Sequence, residues 1–192
     1  MDHANGGLTL WFTGLPCSGK TTIAELVKQQ LEVDGKRVEL LDGDEIRKHF
    51  SAGVGFSKED RANHLKRVAY LCHLLTKHGV IVLASFVSPY RDNRDYARAL
   101  IGERFVEVFV DTPLEECIKR DVKGMYKRAL AGEIKQFTGI SDPYEPPLNP
   151  ELSVRTTEEP AANSAETVLE KLRGFQHELQ NGAQERNEKP QH

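Results

Sequence analysis

Short apolar runs alternate with helical patterns along this chain. The run Leu8-Thr9-Leu10-Trp11-Phe12-Thr13 is rich in β-formers and ends at Gly14. From Lys20 onward, Ile23, Leu26, Val27 and Leu31 recur at the spacing of one helix face. Val38 to Leu41 reads as a second strand, ending at Asp42-Gly43-Asp44. Ser57-Lys58-Glu59-Asp60 has capping-box form, with the shorter Asp where Glu or Gln is usual. It precedes Leu65, Val68, Leu71, Cys72 and Leu75, the apolar face of a long helix that stops near Gly79. Val80 to Ala84 is continuously apolar, as in a strand buried on both faces. Val106 to Val110 is a further strand. Thr112-Pro113-Leu114-Glu115 then supplies an N-cap, a Pro at the first helical position and a capping-box acid.

From Gly132 to Pro150 the pattern breaks up, with four prolines after position 142. A loop of that length is often functional. Ala165, Val168, Leu169, Leu172 and Phe175 form a last amphipathic helix, and beyond Gln176 the chain turns polar. The expected organisation is one domain over residues 1–176, a lid at about 123–150, and a flexible polar tail over 177–192. Strand–helix alternation predicts an α/β fold, a parallel sheet with helices on both faces. Ligands of such sheets bind at the carboxyl ends of the strands.

Composition narrows the classes. A chain of 192 residues with 39% hydrophobic and 29% charged residues is one ordinary domain with enough apolar side chain for a core. Its net charge of −3 speaks against a nucleic-acid partner but allows a small anionic ligand held by local cations. Cys17, Cys72 and Cys117 form no CxxC pair and are odd in number, which points to a reducing compartment. The start Met1-Asp2-His3-Ala4-Asn5 lacks a signal pattern, and no apolar run approaches the roughly 20 residues of a bilayer span. The expectation is a cytoplasmic chain with no membrane partner.

Gly14-Leu15-Pro16-Cys17-Ser18-Gly19-Lys20-Thr21 matches the phosphate-loop pattern G-x-x-x-x-G-K-[ST], with a strand before it and a helix after it. Glycines let backbone N–H groups converge on phosphate oxygens, and the helix N-terminus adds a favourable partial charge. Lys20 would then reach the β- and γ-phosphates of ATP, and the Thr21 hydroxyl would ligate Mg²⁺. Cys17 reads either as a small filler or as a redox handle at a helix start. The guanine-reading Asn/Thr-Lys-x-Asp motif of GTPases does not occur. At the end of the second strand, Asp42 and Asp44 with Arg47 admit two readings. They are carboxylates for Mg²⁺ or an acceptor proton with an arginine for an anion, or a polar turn in which an Asp caps a helix.

Further motifs carry a resemblance. Leu41 to Arg47, Gly55-Phe56-Ser57, Asp60-Arg61, Ser85-Phe86-Val87-Ser88-Pro89-Tyr90-Arg91, Arg120 to Gly124 and Gly132 to Ile140 together resemble the adenylylsulfate kinase family, over about Leu8 to Leu172. The resemblance implies a P-loop nucleoside triphosphate hydrolase fold. It also implies transfer of the ATP γ-phosphoryl group to the 3′-hydroxyl of adenosine 5′-phosphosulfate, in sulfate activation. Carried over, Gly14 and Cys17 to Thr22 (Cys17, Ser18, Gly19, Lys20, Thr21, Thr22) hold the ATP phosphates. Asp42 with Thr21 serves Mg²⁺, and Asp42, Lys20 and Ser88 are the catalytic set. Asp44, Arg47, Phe56, Arg61, His64, Val87, Ser88, Lys123, Gln136 and Phe137 contact adenylylsulfate. Phe56 and Phe137 would sandwich its adenine, or else are ordinary core aromatics.

The serine matching Ser88 has been described in the family as a phosphoserine intermediate, whereas in-line transfer needs no covalent stop. Ser88 is read as positioning substrate or as capping the turn before Pro89. The chain departs from the family at His64, where Asn is usual. It departs again at Ser85, which stands where a Walker-B aspartate would, leaving Asp42 in that role with Asp111 as competitor. In the lid, Arg128 would touch the phosphoryl or the ATP base, or lie on the surface. The family also implies a homodimer and association with an ATP sulfurylase. A kinase for another hydroxyl acceptor and a silent nucleotide-binding regulator are the alternatives.

Overall fold

The computed structural model describes residues 7–188, apart from 51, 52, 54 and 56. Five parallel strands lie in the order β2-β3-β1-β4-β5. They are β1 (Leu8–Thr13), β2 (Val38–Asp42), β3 (Ile81–Ser85), β4 (Phe105–Val110) and β5 (Leu152–Val154). Helices α1 (Lys20–Val33), α2 (Gly43–Phe50), α3 (Lys58–Lys77), α4 (Arg91–Ile101), α5 (Leu114–Arg120), α6 (Met125–Leu130) and α7 (Ala161–Glu188) connect and follow them. The parallel α/β alternation expected from the sequence is observed, with α2, α4, α6 and β5 added to the elements read there.

Period-two side-chain alternation sends the two faces of each strand into different cores. Leu8, Leu10 and Phe12 of β1 and Val106, Val108 and Val110 of β4 pack under α1 and α7. Trp11 and Phe105 point the other way, against Leu65, Val68 and Cys72 of α3 and Ala97 of α4. Both faces being covered explains the near-continuous apolar runs of β1 and β3.

Local expectations fare differently. The capping box at Ser57 forms, with Asp60 long enough to reach back to the Ser57 N–H. Thr112 does not cap the following helix: its hydroxyl is spent on the Ser18 carbonyl and on Thr156. The last helix runs past the point where the chain turns polar, to Glu188, and Leu179 still packs against the α1-side core. Inside the stretch expected to be a lid, α6 is helical, and β5 follows it as an edge strand of only three residues, too short to show a period.

Glu107 faces the α3–α4 side at 6% exposure, in the middle of an apolar strand. Arg94 of α4, 2% exposed, donates to its Oε1 at 2.7 Å, and Arg98 reaches its Oε2 at 3.3 Å. The remaining Arg94 donors hold the Ser88 carbonyl (2.6 Å) and the Glu145 carbonyl (2.6 Å). Every branch of this arginine therefore has an acceptor, as burial requires. Removing one partner leaves the other charge buried alone. Arg94→Met is expected to cost about 3–5 kcal/mol of stability, read as a lowered urea midpoint, and a cost below about 1 kcal/mol would contradict this account.

Candidate active site

The loop after β1 and the first turn of α1 form a phosphate cradle. Gly14 has φ 154°, and a Cβ there would lie 2.6 Å from the Val110 carbonyl oxygen. Gly19, φ 104°, is the N-cap of α1 and has no side-chain cap bond of its own. Lys20 is buried, and its ammonium donates to the carbonyls of Gly14 (3.0 Å) and Leu15 (2.7 Å) and to Ser18 Oγ (3.3 Å). Burial pulls its pKa down to about 8. Thr22 is exposed on the same turn. Cys17 packs against the small apolar cluster of Cys117, Tyr126, Ala129 and Phe137, as its filler reading expects.

Sheet register brings the first carboxylate to this cradle. Phe12, Ser85 and Asp42 sit in one row across β1, β3 and β2, at the carboxyl edge. Ser85, small where an acidic residue would project, leaves room for Asp42 to reach over it. Asp42 Oδ2 accepts from Thr21 Oγ1 at 2.9 Å, and Ser85 Oγ lies 3.1 Å from that hydroxyl. Asp42 Oδ1 accepts from the N–H groups of Asp44 (2.9 Å) and Glu45 (3.3 Å). One oxygen of this aspartate thus caps α2, while the other faces the phosphate loop, where the functional reading needs it. Asp111 is turned away, 3.8 Å from Arg155.

A cationic group gathers beyond Asp42. Arg47 donates to the Gly55 carbonyl. Arg61 donates to Thr138 Oγ1 (2.9 Å) and to the Gln136 carbonyl, and lies 3.7 Å from Asp142. Burial and the nearby Arg61 push the Arg47 guanidinium below its ordinary value. Lys123 pairs with Asp44, and that bond raises the ammonium pKa. The structure therefore brings Arg47, Arg61, Lys123, Asp44 and Gln136 to one side of the strand ends. Phe137 is turned into the small cluster, edge-on to Tyr126 at 5.0 Å. Phe56 lies outside the described residues. Arg128 pairs with Glu133 on the surface at 3.1 Å.

Ser88 is buried in a hydrogen-bond chain. Trp11 Nε1–H donates to Ser88 Oγ (3.1 Å), which donates to Thr13 Oγ1 (3.0 Å), which donates to the Val87 carbonyl (2.9 Å). Tyr144 OH lies 2.9 Å from the same Thr13 hydroxyl. None of these partners is a general base, so the hydroxyl is built for holding the 87–88 segment rather than for attack. Among the described residues, four non-glycine positions have positive φ, and Cys17 (60°), Ser88 (39°) and Gln136 (56°) are three of them. Backbone strain of this kind collects where function fixes the chain.

Sequence reasoning missed Arg94, Tyr126 and Thr156, read Thr13 only as a strand end and Thr112 only as a helix cap, and quoted Arg120 only within a motif. Tyr126 donates to the Pro16 carbonyl at 3.0 Å, tying α6 to the phosphate loop. Its only advance signal is an aromatic beside the Arg120–Gly124 motif. Glu107, which the sequence reading passed over, could have been found as a charge within an apolar run.

His64 is buried, its ring 6.0 Å from that of Phe86. Burial, followed by the charges of Arg47 and Arg67, lowers its pKa from 6.5 to about 4. The fold therefore favours the neutral ring, and the stability it carries is intact above pH 6.5 and drains away as pH falls towards 4. His64→Asn should lose less unfolding free energy than the parent between those two pH values. Parallel slopes in urea titrations at each pH would contradict it.

A family model described as adenylylsulphate kinase matches residues 6–155. The adenylyl-sulfate kinase of Picosynechococcus is 53% identical over 172 residues, covering 90% of this chain and 96% of that protein. That of Gloeothece citriformis is 54% identical over 166 residues, 86% of this chain and 94% of its own. Among solved structures, the Mycobacterium tuberculosis APS kinase CysC, in complex with AMPPNP and APS, superposes with a TM-score of 0.85. It is 41% identical, and the match covers 88% of this chain and 99% of that one. Likeness at this level, over nearly the whole of both partners, leaves one conclusion: this chain belongs to the adenylylsulfate kinase family.

Proposed function

We propose that the chain transfers the γ-phosphoryl group of ATP to the 3′-hydroxyl of adenosine 5′-phosphosulfate. The observation that carries this reading is the Asp42–Thr21 contact of 2.9 Å, which sets a carboxylate at the boundary between the phosphate loop and the cationic group. ATP phosphates lie along Gly14 and Cys17 to Thr22, with Lys20 exchanging loop carbonyls for phosphate oxygens. The phosphosulfate end of the acceptor meets Arg47, Arg61 and Lys123, and Asp44, His64, Val87, Ser88, Gln136, Phe56 and Phe137 shape the rest of its site. The acceptor oxygen forms a bond to the γ-phosphorus, the bond to the β-phosphate oxygen breaks, and the hydroxyl proton passes to Asp42 Oδ2. The products are ADP and 3′-phosphoadenosine 5′-phosphosulfate.

The oxygens of Thr21 and Asp42 suit a small hard cation. Among the described residues no group of three His, Cys, Asp or Glu could hold a metal, which fits a Mg²⁺ carried mainly by phosphates and water. Bound there, Mg²⁺ would offset phosphate charge. Tyr90, Tyr144 and Glu145 fasten residues 142–146 to the core, so any lid closure belongs to the part before Asp142. The reading also includes a homodimer, association with an ATP sulfurylase and a cytoplasmic site of action. In favour of the last, three cysteines are free, and no described helix is long and apolar enough to cross a membrane.

Incubation with MgATP and adenylylsulfate, followed by chromatography, should yield a 3′-phosphorylated nucleotide in step with ADP. ADP without that product would sink the acceptor assignment. Asp42→Asn should lower turnover by about 10²–10⁴-fold with ATP still bound. Lys123→Ala should raise the KM for adenylylsulfate about tenfold while that for ATP changes less than about twofold, and equal changes would contradict the placement of Lys123.

A further inference from the structure

The Ser18 side of the phosphate loop is held by residues that no reading of the acceptor or the metal uses. Ser18 is fully buried, and its carbonyl oxygen lies 3.0 Å from Thr112 Oγ1, 3.1 Å from Thr156 Oγ1 and 3.4 Å from an Arg120 nitrogen. The two hydroxyls are 2.7 Å from each other, and Arg120 also donates to Thr156 Oγ1 at 2.9 Å. Two hydroxyl protons serve three contacts. They cannot both point into the Thr112–Thr156 gap, so at least one always lies on the Ser18 oxygen.

Register builds this arrangement. Val110 of β4 pairs with Val154 of β5, and the Asp111 N–H continues the ladder to the Val154 carbonyl at 2.9 Å. Two residues further on, in step, come Thr112 and Thr156. They arrive side by side over the loop, with Thr156 so close that a Cβ on Gly19 would meet its methyl at 3.3 Å.

The peptide they grip joins Ser18 to Gly19. With φ 104° and no side chain, Gly19 tolerates rotation of that peptide, so its direction must be imposed from outside. When the carbonyl is fixed by donors, the amide N–H at the other end of the planar peptide is aimed the opposite way, away from Thr112 and Thr156. Donors on the carbonyl also polarise the amide, making its N–H a stronger partner for an anion. We propose that Thr112 and Thr156, backed by Arg120, are positioning residues that aim and strengthen the Gly19 N–H as a donor to the nucleotide phosphates.

This inference rests on the phosphate loop binding ATP and is independent of the acceptor. Its test is binding of a non-hydrolysable ATP analogue by calorimetry. Because either hydroxyl can serve the carbonyl, Thr112→Val and Thr156→Val should each weaken binding about two- to threefold, and the double variant about thirtyfold or more, beyond the product of the singles. Thr156→Ser should keep parental affinity. In each valine variant the Gly19 amide proton should move upfield by NMR, which keeps the test alive if the double variant does not fold. A folded double variant within twofold of the parent, or an unmoved Gly19 resonance in both singles, would overturn the proposal. A parent that binds the analogue but never phosphorylates adenylylsulfate would defeat the proposed function and leave this inference standing.

Discussion

A carboxylate in the middle of a buried strand sets the terms for much of this molecule. Glu107 occupies an inward position of β4 between apolar neighbours, where an unpaired charge would cost several kcal/mol. The fold meets that demand with Arg94 and Arg98, and Glu151 completes the chain by accepting from Arg98 and from the Glu107 N–H. The consequence reaches further than charge balance. Once Arg94 is fixed by Glu107, its remaining donors fix the carbonyls of Ser88 and Glu145, so the strained 87–88 segment and the root of the proposed lid become parts of one rigid unit. A hydrophobic isostere in place of the pair could fill the volume, but it could not hold those two carbonyls.

The two halves of the site are held differently. On the nucleotide side, contacts are short, buried and made largely to backbone: Lys20 to loop carbonyls, Tyr126 to Pro16, and the threonine pair to Ser18. On the proposed acceptor side, Lys123 and Asp44 are both more than three-fifths exposed, and an ion pair in that setting is worth little net energy. Such a pair keeps its members near the site while leaving them ready to exchange partners. A rigid cradle beside adjustable cations suits a reaction whose first substrate carries an invariant triphosphate and whose second must be admitted, enclosed and released.

What the sequence disclosed follows from how locally each feature is encoded. The strands, α1, α3 and the phosphate loop are written in consecutive residues, by period, by capping box and by the G-x-x-x-x-G-K-T spacing. Helix α4 was not read, because Arg91 to Ile101 is dominated by polar residues, and its buried Arg94 satisfies partners distant in sequence. Edge strand β5 was missed because three residues next to prolines carry no period. Thr112 was assigned the local task of capping and instead serves Ser18, a contact across 94 positions that only the sheet register creates. Asp42 was legible as a candidate acid, but its double use, one oxygen to α2 and one to Thr21, needed coordinates.

The same contrast explains why strain sits where it does. Cys17, Ser88 and Gln136 adopt left-handed backbone without being glycine, at a cost on the order of 1–3 kcal/mol each. Each lies next to a group that over-determines it. Cys17 is wedged beside the small cluster over α5 and α6, Ser88 is locked by Arg94, Trp11 and Thr13, and the Gln136 carbonyl is held by Arg61. A residue with φ near 60° reverses the chain locally and turns its neighbours' amides and side chains toward one side. Cys17 makes such a turn in the phosphate loop, Ser88 beside the buried arginine, and Gln136 where Arg61 holds its carbonyl. The buried network around Glu107 supplies the rigidity that makes the central one of these conformations persist.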